Sequence, residues 1–216
     1  MANTQPDFVA VSPSKPAVTT YQLDADDLAH RVSLATPADT CKGMFCNGLF
    51  QAVERSKGEA GLDLLKDAAG GRKFVDFFNY SIAEFLPLAF VAAELIAGGK
   101  SPTQLEVGVR SLGRQATDDF LGTAVGKTLL LLAGNDPRRL MNSLSSGYKT
   151  AVSYGTRTVS WLGPTRCVFA MRRDFMPHPY HEGVLQQVLT AVGGKQVSVR
   201  GVRVGVLDTD YECSWN

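Results

Sequence analysis

The sequence predicts an α+β protein in which helices come first and an antiparallel sheet closes the chain. From about residue 36 to residue 149, apolar residues recur at the 3.6-residue spacing of helices. From Thr150 the period changes to two, which is typical of strands. One helix interrupts the strands, in the order β-β-α-β-β. We therefore expect a single α+β domain over residues 21–216, with a helical part at 36–149 packed on a sheet part at 150–216.

The first part of the chain combines a proline-rich segment with a segment of ambiguous pattern. Pro6, Pro13 and Pro16 lie among Ser and Thr residues, which predicts a flexible tail over residues 1–20. Residues 21–34 fit either a short strand or a short helix. The sequence leaves these two alternatives open.

Start and stop signals divide the helical part. Thr36 as a cap and Pro37 at the first position predict the start of a helix that Gly58 ends. A Ser-Pro pair and an Asp-Pro pair start two later helices in the same way. The predicted helices cover residues 37–57, 59–69, 82–97, 102–120, 123–133 and 137–148.

The sheet part is predicted from its alternation of β-branched and polar residues. A turn at Gly163-Pro164 joins the first two strands, and one helix over about residues 180–192 precedes the last two. The predicted strands cover residues 156–162, 166–172, 196–207 and 211–215.

The composition is that of an ordinary globular protein, with 44% hydrophobic and 20% charged residues. A net charge of +1 argues against a general affinity for nucleic acids. Residues 1–109 carry 9 Lys and Arg against 13 Asp and Glu, whereas residues 110–216 carry 13 against 8. This asymmetry could seat an anionic group or an acidic partner on the C-terminal half, or it could reflect two solvated faces.

Targeting and membrane signals are not apparent. The segment Met1–Ala10 is polar and lacks the apolar run of a secretory signal, so we expect a cytoplasmic protein with free thiols. The longest apolar stretch, Phe85–Ala97, contains Pro87 and Glu94 and is too short to span a bilayer. We expect it to form a core helix, and we expect no membrane span.

Patterns that could carry catalysis or metal binding are weak. His178 and His181 could face one metal ion with Asp174 or Glu182 as a further ligand, or they could be exposed loop residues. Two cysteines lie five residues apart, but no His or second Cys pair is near them. We therefore expect no metal and no cofactor, and an enzyme using His178, His181 or a thiol is the least favoured alternative.

Several motifs resemble a known family. They lie at residues 77–81, 112–114, 136–140, 154–155, 162–164, 179–185 and 211–215. As a set, over about residues 35–216, they resemble a paralogous family of domains of unknown function best known from myxobacteria. The family has no assigned activity, so the resemblance implies a fold and no mechanism.

A more remote resemblance is to haem-based nitric-oxide/oxygen sensor domains and to 4-vinyl-reductase-type ligand-binding domains. In the haem sensors, a proximal His lies on the helix before the sheet and a Tyr-x-Ser-x-Arg run holds the propionates. Here that helix, residues 137–149, contains no His and offers Tyr148, and the segment Phe169–Arg173 keeps only the final Arg. The resemblance therefore implies the architecture, with an apolar cavity between helices and sheet, and we expect no haem.

The function that these observations favour is a ligand-sensing or regulatory domain that binds a small apolar molecule at the helix–sheet junction. The densest aromatic segment would supply the apolar wall, although such a cluster could equally be plain core; its candidate residues are Phe77, Phe78, Phe85 and Phe90. The polar end would come from Tyr148, Tyr154, Arg157 and Arg173. The alternative is a module for protein partners or self-association, for example as a homodimer.

Overall fold

A computed structural model describes residues 21–216, and the tail expected at residues 1–20 lies outside the described residues. The ambiguous segment that follows is a helix, α1 (Ala25–Ser33). The side chain of Asp24 caps it by accepting hydrogen bonds from the backbone N–H groups of Asp26 and Asp27. This cap settles the strand-or-helix alternative in favour of the helix.

The helical part that follows contains five helices and a two-stranded antiparallel sheet. Its elements are β1 (Thr40–Lys42), α2 (Gly43–Ala68), β2 (Asn79–Ser81), α3 (Ile82–Ala97), α4 (Pro102–Gly122), α5 (Ala124–Ala133) and α6 (Pro137–Ala151). The Ser-Pro and Asp-Pro pairs cap α4 and α6 as predicted, since the side chains of Ser101 and Asp136 accept from backbone N–H groups of the first turn.

The predicted helix start at Pro37 is wrong. Residues 36–39 form a turn closed by a 2.9 Å hydrogen bond from Asp39 N–H to the Thr36 carbonyl. The Asp39 carboxylate also accepts a hydrogen bond from the Thr36 N–H at 2.7 Å. Thr36 and Asp39 therefore close a turn, and no helix starts there. The chain then enters β1, where Thr40 pairs with Ser81 of β2.

Gly58 breaks α2 as predicted. Its backbone lies at φ 67° and ψ −165°, where only glycine is comfortable, so the two predicted helices are two halves of one kinked element.

The sheet part confirms the β-β-α-β-β order. Its elements are β3 (Thr156–Gly163), β4 (Arg166–Arg172), α7 (His178–Ala191), β5 (Ser198–Arg203) and β6 (Thr209–Ser214). All pairings are antiparallel and the spatial order is β3-β4-β6-β5. Strand β5 is shorter than the predicted strand at 196–207, because the Val204 N–H donates to the Asp208 carbonyl at 3.0 Å and closes a turn.

Two clusters of buried apolar side chains meet at α7. Tyr180 belongs to the cluster of the helical part, whereas Leu185 and Leu189 belong to the cluster that covers the sheet. The backbones of α4 and α7 touch, since a Cβ atom on Gly183 would lie 2.1 Å from the Arg110 carbonyl oxygen. The protein is therefore α+β, with helices first and an antiparallel sheet at the end.

Within residues 21–216, no single helix combines the length and the apolar character needed to cross a membrane. Only α3 and α4 taken together reach that length and composition, and the pair is bent by 105°.

Candidate functional site

The helix–sheet junction contains a cavity of about 100 Å³, which we call the junction cavity. Its walls come from α2, α4, α5, α6 and α7, so both parts of the protein contribute to it. Almost all of its side chains are apolar. The lining residues are Phe45, Ala116, Thr117, Phe120, Leu129, Leu144, Gly147, Tyr148, Ala151, Tyr180, Val184 and Val188.

A second cavity of about 50 Å³ adjoins it, which we call the second cavity. The two cavities share Phe45, Tyr148, Ala151 and Tyr180. The other lining residues are Cys41, Phe85, Val152, Tyr154, Arg157, Asp174, Met176 and His181. A molecule in the junction cavity would therefore lie beside a set of buried polar groups.

Four of those groups form a chain that we call the buried network: Tyr148, His181, Asp174 and Arg157. The Tyr148 hydroxyl lies 3.0 Å from His181 Nδ1, and His181 Nε2 lies 2.9 Å from Asp174 Oδ1. Arg157 Nη2 donates to the other Asp174 oxygen, Oδ2. These residues lie on α6, β3, the segment after β4 and α7, so the network ties the sheet to the helices on both sides of the junction.

Electrostatics fix the protonation states of Asp174 and Tyr148 near neutral pH. Burial on its own would raise the pKa of Asp174, but the charges of His181 and Arg157 and the hydrogen bond from His181 outweigh it and hold that pKa below its usual range. Burial raises the pKa of the Tyr148 phenol well above its usual range, and the Asp174 carboxylate raises it further. Tyr148 is therefore a neutral phenol, and Asp174 an ionised acceptor.

The structure brings four of the eight residues expected at the site together at the second cavity. Phe85, Tyr148, Tyr154 and Arg157 line it. Phe90 is 3% exposed in the helical cluster and lines neither cavity.

Phe77 and Phe78 lie outside both cavities, so the prediction that they form the apolar wall is wrong. They are 81% and 64% exposed, because they lie in the loop before β2 and not on the helix that follows. The aromatic wall of the junction cavity comes instead from Phe45 and Phe120.

Arg173 also lies outside both cavities. Its guanidinium forms a two-pronged ion pair with Asp39, in which Nη2 donates to Oδ2 at 2.9 Å and Nη1 donates to Oδ1. This pair fastens the end of β4 to the turn before β1. Arg173 therefore holds the two parts of the protein together instead of facing a ligand.

Sequence reasoning missed several residues that the structure places at the site. Asp174 was considered only as a metal ligand. His181 was considered as a metal ligand, as a catalytic group or as an exposed loop residue, and the last of these is wrong because it is buried on α7. Phe45 and Tyr180 were not considered as lining residues. A signal existed for Tyr180 and His181, since they begin the run of inward positions on α7 that continues at Leu185 and Val188. Among the described residues, no group of three or more His, Cys, Asp or Glu side chains could hold a metal ion.

Comparison with known proteins assigns the chain to a family. The family described as "Protein of unknown function (DUF2378)" matches residues 34–216. The chain belongs to this family. No curated protein matches it.

Solved H-NOX structures share the fold. A doubly substituted Tt H-NOX superposes with a TM-score of 0.65 at 12% identity, covering 81% of this chain and 95% of that chain. An oxygen-binding H-NOX domain related to soluble guanylate cyclases, solved as its oxygen complex, gives 0.62 at 12% identity, with 81% and 95% covered. The Fe(II) unliganded H-NOX protein from K. algicida gives 0.60 at 10% identity, with 81% and 96% covered. At this identity the likeness shows the fold alone.

The residues of α6 do not offer a haem its axial ligand. The iron needs an axial ligand such as His, Cys, Met or Tyr, and Tyr148 of α6 is a neutral phenol engaged with His181. Met141, the other candidate on α6, is fully buried in the sheet cluster and lines neither cavity. Cavities of about 100 and 50 Å³ are also smaller than the roughly 300–1,000 Å³ pockets that hold larger ligands.

Proposed function

We propose that this protein is a ligand-sensing domain that binds a small apolar molecule in the junction cavity. The observation that carries the proposal is the position of that cavity, with apolar walls drawn from α2, α4, α5, α6 and α7. An apolar cavity of about 150 Å³ in another protein stays dry and binds benzene or xenon. The junction cavity is smaller, at about 100 Å³, so we expect it to hold ligands no larger than benzene or xenon.

Sensing requires that occupancy favours one arrangement of the protein over another. Phe45 and Ala116 reach the cavity from the helical part, and Leu144 and Val188 reach it from the elements that cover the sheet. A ligand that touches both sets stabilises the arrangement in which they lie at contact distance. Tyr148 then carries any displacement of α6 to His181 and Asp174 through its hydroxyl.

Gly147 offers a direct test, because it lines the cavity and a Cβ atom there would meet no other atom within 4 Å. Gly147→Leu fills the cavity from α6. Gly122→Leu is the matched control, since its Cβ also meets open space while Gly122 lines neither cavity.

The affinity for benzene is measured by NMR titration. We expect the wild type and Gly122→Leu to bind benzene with equal affinity. We expect Gly147→Leu to bind it at least tenfold more weakly, because the new leucine side chain occupies the space that benzene would fill. Equal affinity in all three proteins would place benzene elsewhere and refute the proposal. A wild type that binds no benzene would refute it as well.

Self-association is a second candidate function, supported by the exposed apolar residues of α5. Val125, Leu131 and Leu132 are 63%, 82% and 72% exposed. Such a patch commonly marks an interaction surface. Light scattering at increasing concentration should show a dimer that Leu131→Lys dissociates and that Val107→Lys on α4 leaves intact; a strict monomer would remove this candidate.

A cytoplasmic location stays a prediction.

A further inference from the structure

The four-stranded sheet ends at strand β3, and part of the outer edge of β3 is open. The Trp215 N–H donates to the Thr165 carbonyl at 3.2 Å, and these residues face each other where β4 and β6 pair. Because hydrogen-bonded pairs alternate along antiparallel strands, the even-numbered residues of β4 bond β3. Their even-numbered partners on β3 are thus bonded, and Val159 and Trp161 direct their backbone N–H and C=O groups outward.

A contact from α6 supports this assignment and marks where the open part of the edge begins. The Ser145 hydroxyl donates to the Arg157 carbonyl at 2.8 Å, as expected if the odd-numbered residues of β3 point away from β4. Beyond that contact, no side chain or loop within residues 21–216 hydrogen-bonds the backbone groups of Val159 or Trp161. We call these two residues the open edge.

The opposite edge of the sheet, strand β5, is covered. The Gly201 N–H points outward by the same alternation and donates to the Glu182 carboxylate of α7 at 2.8 Å. Native sheets protect their edges with charges, prolines, bulges, short strands or a covering helix. Strand β3 has eight residues, no proline and no charged side chain at an exposed position. Only the bulge after Trp161 interrupts it, so the open edge remains able to pair with another strand.

The surroundings of the open edge are basic. Residues 137–173, which include α6, β3 and β4, contain seven Arg and Lys residues and no Asp or Glu. Four of the seven are paired with carboxylates of other segments, namely Arg139, Arg157, Arg172 and Arg173.

Two of the remaining cations flank the open edge. The Arg138 guanidinium lies over the Trp161 ring, 4.2 Å from its centre. Arg166 is the partner of Gly163 at the end of β3. Both arginines are exposed, and neither forms an ion pair with a carboxylate within residues 21–216. The open edge therefore lies in a positive field that an acidic partner would complement.

We propose that the open edge binds an acidic, extended segment of a partner protein, which adds to the sheet as a fifth strand. The outward groups of Val159 and Trp161 bond the backbone of that segment, and its carboxylates lie near Arg138 and Arg166. Strand addition is a recurring mode of peptide recognition in which backbone hydrogen bonds supply the affinity. A nucleic acid would meet the same charges but would leave the backbone groups of the edge unpaired. The inference does not depend on the ligand proposed for the junction cavity.

Three labelled peptides test this inference by fluorescence anisotropy. The probe is Glu-Val-Glu-Val-Glu-Val-Glu, which alternates acidic residues with a residue that favours strands. Its neutral analogue has Gln in place of every Glu. Its strand-breaking analogue has Pro in place of the central Val, which keeps the charge and removes a backbone donor.

Two variants locate the binding site. Val159→Pro removes an outward N–H without breaking a hydrogen bond to β4, so we expect the protein to fold. Val199→Pro is the matched control, because Val199 points outward on β5 and both valines pack, partly buried, against the sheet cluster. Urea unfolding checks that both variants are folded before binding is measured.

We expect the acidic probe to bind the wild type and Val199→Pro with equal affinity. Its affinity for Val159→Pro should be at least about tenfold lower, because that variant loses hydrogen bonds at the centre of the edge. Both analogues should also bind the wild type at least about tenfold more weakly than the probe does. Hydrogen exchange gives a reading without any variant: the amide protons of Val159 and Trp161 should exchange more slowly when the probe is bound.

Each contrary result would overturn the proposal. A strand-breaking analogue that binds as tightly as the probe would show a surface that responds to charge alone, as a site for nucleic acid does. A neutral analogue that binds equally would show that the partner need not be acidic. Unchanged exchange at Val159 and Trp161, or a wild type that binds none of the peptides, would leave the open edge without this role. A wild-type dimer that Val159→Pro dissociates would assign the edge to a second copy of this chain.

Discussion

His181 Nε2 lies 2.9 Å from Asp174 Oδ1, and the two side chains are 4% and 5% exposed. Arg157 Nη2 bonds the other oxygen of the same carboxylate. The junction of helices and sheet thus encloses the Arg157–Asp174 ion pair, which water scarcely reaches. Its members are mutually dependent, because each charge is tolerated in the interior only while the others are present.

Asp174→Asn should destabilise the protein by about 3–5 kcal/mol, because it leaves the buried Arg157 guanidinium without its counter-charge. Urea unfolding at pH 7 measures the loss. The control is Asp119→Asn, which breaks the 2.8 Å pair with Arg55 at the surface and should cost less than about 1 kcal/mol. Equal losses in the two variants would contradict the role given to the buried network.

Gly113→Ala should destabilise the contact between α4 and α7 by about 1–3 kcal/mol. A Cβ atom on Gly113 would lie 1.9 Å from the Tyr180 carbonyl oxygen, and backbone cannot move aside cheaply. Gly122→Ala on the same helix meets nothing within 4 Å and should be neutral or stabilising by up to about 1 kcal/mol. The two free energies of unfolding are compared, and a harmless Gly113→Ala would show that the helices are further apart.

The Asp39–Arg173 pair should make stability depend on acid pH. A hydrogen bond from Arg173 is the main cause that lowers the pKa of Asp39 to about 2. Because the folded pKa lies below the unfolded value of about 3.9, the contribution is complete above about pH 4 and is lost as the pH falls through about 2.

Asp39→Asn should therefore cost about 1 kcal/mol at pH 7, a modest value because Arg173 is 44% exposed. The difference from the wild type should shrink between pH 4 and pH 2. Asp63→Asn, at an exposed pair with Lys66, should differ little from the wild type at any of these pH values. A constant Asp39→Asn difference across the range would refute the assignment.

Haem added to the purified protein should acquire no axial ligand from α6. Tyr148 is a neutral phenol hydrogen-bonded to His181, and phenolate ligation would require it to lose its proton inside the buried network. We expect the visible spectrum of added haem to be the same with the wild type and with Tyr148→Phe. An intense Soret band that Tyr148→Phe abolishes would contradict this expectation.

The sequence predicted most helices because their ends carry local signals. Ser101 caps α4 with a capping box to Gln104, and Gly98 ends α3 in the left-handed conformation. The positions of the strands along the chain followed from the two-residue period, which a sheet with one covered face imposes. The sheet β1–β2 was missed because strands of three residues have no readable period.

The site was only partly predictable, because burial and pairing depend on contacts distant in sequence. Tyr148 and Arg157 were expected at the junction, but their link through Asp174 and His181 exists only once α6 packs beside α7. Phe77 and Phe78 were assigned to the wall on aromatic density alone, and density does not show whether a residue lies in a helix or in the loop before it.

The central claim is that the junction cavity holds a small apolar molecule, and a crystal structure determined under xenon pressure tests it most directly. Xenon has no charge and makes no hydrogen bonds, so its position reports accessible apolar space alone. We predict a xenon atom bounded by Phe45, Leu144 and Val184 in wild-type crystals and none there in Gly147→Leu. Wild-type crystals with no xenon in that cavity, or with xenon only at the protein surface, would contradict the account.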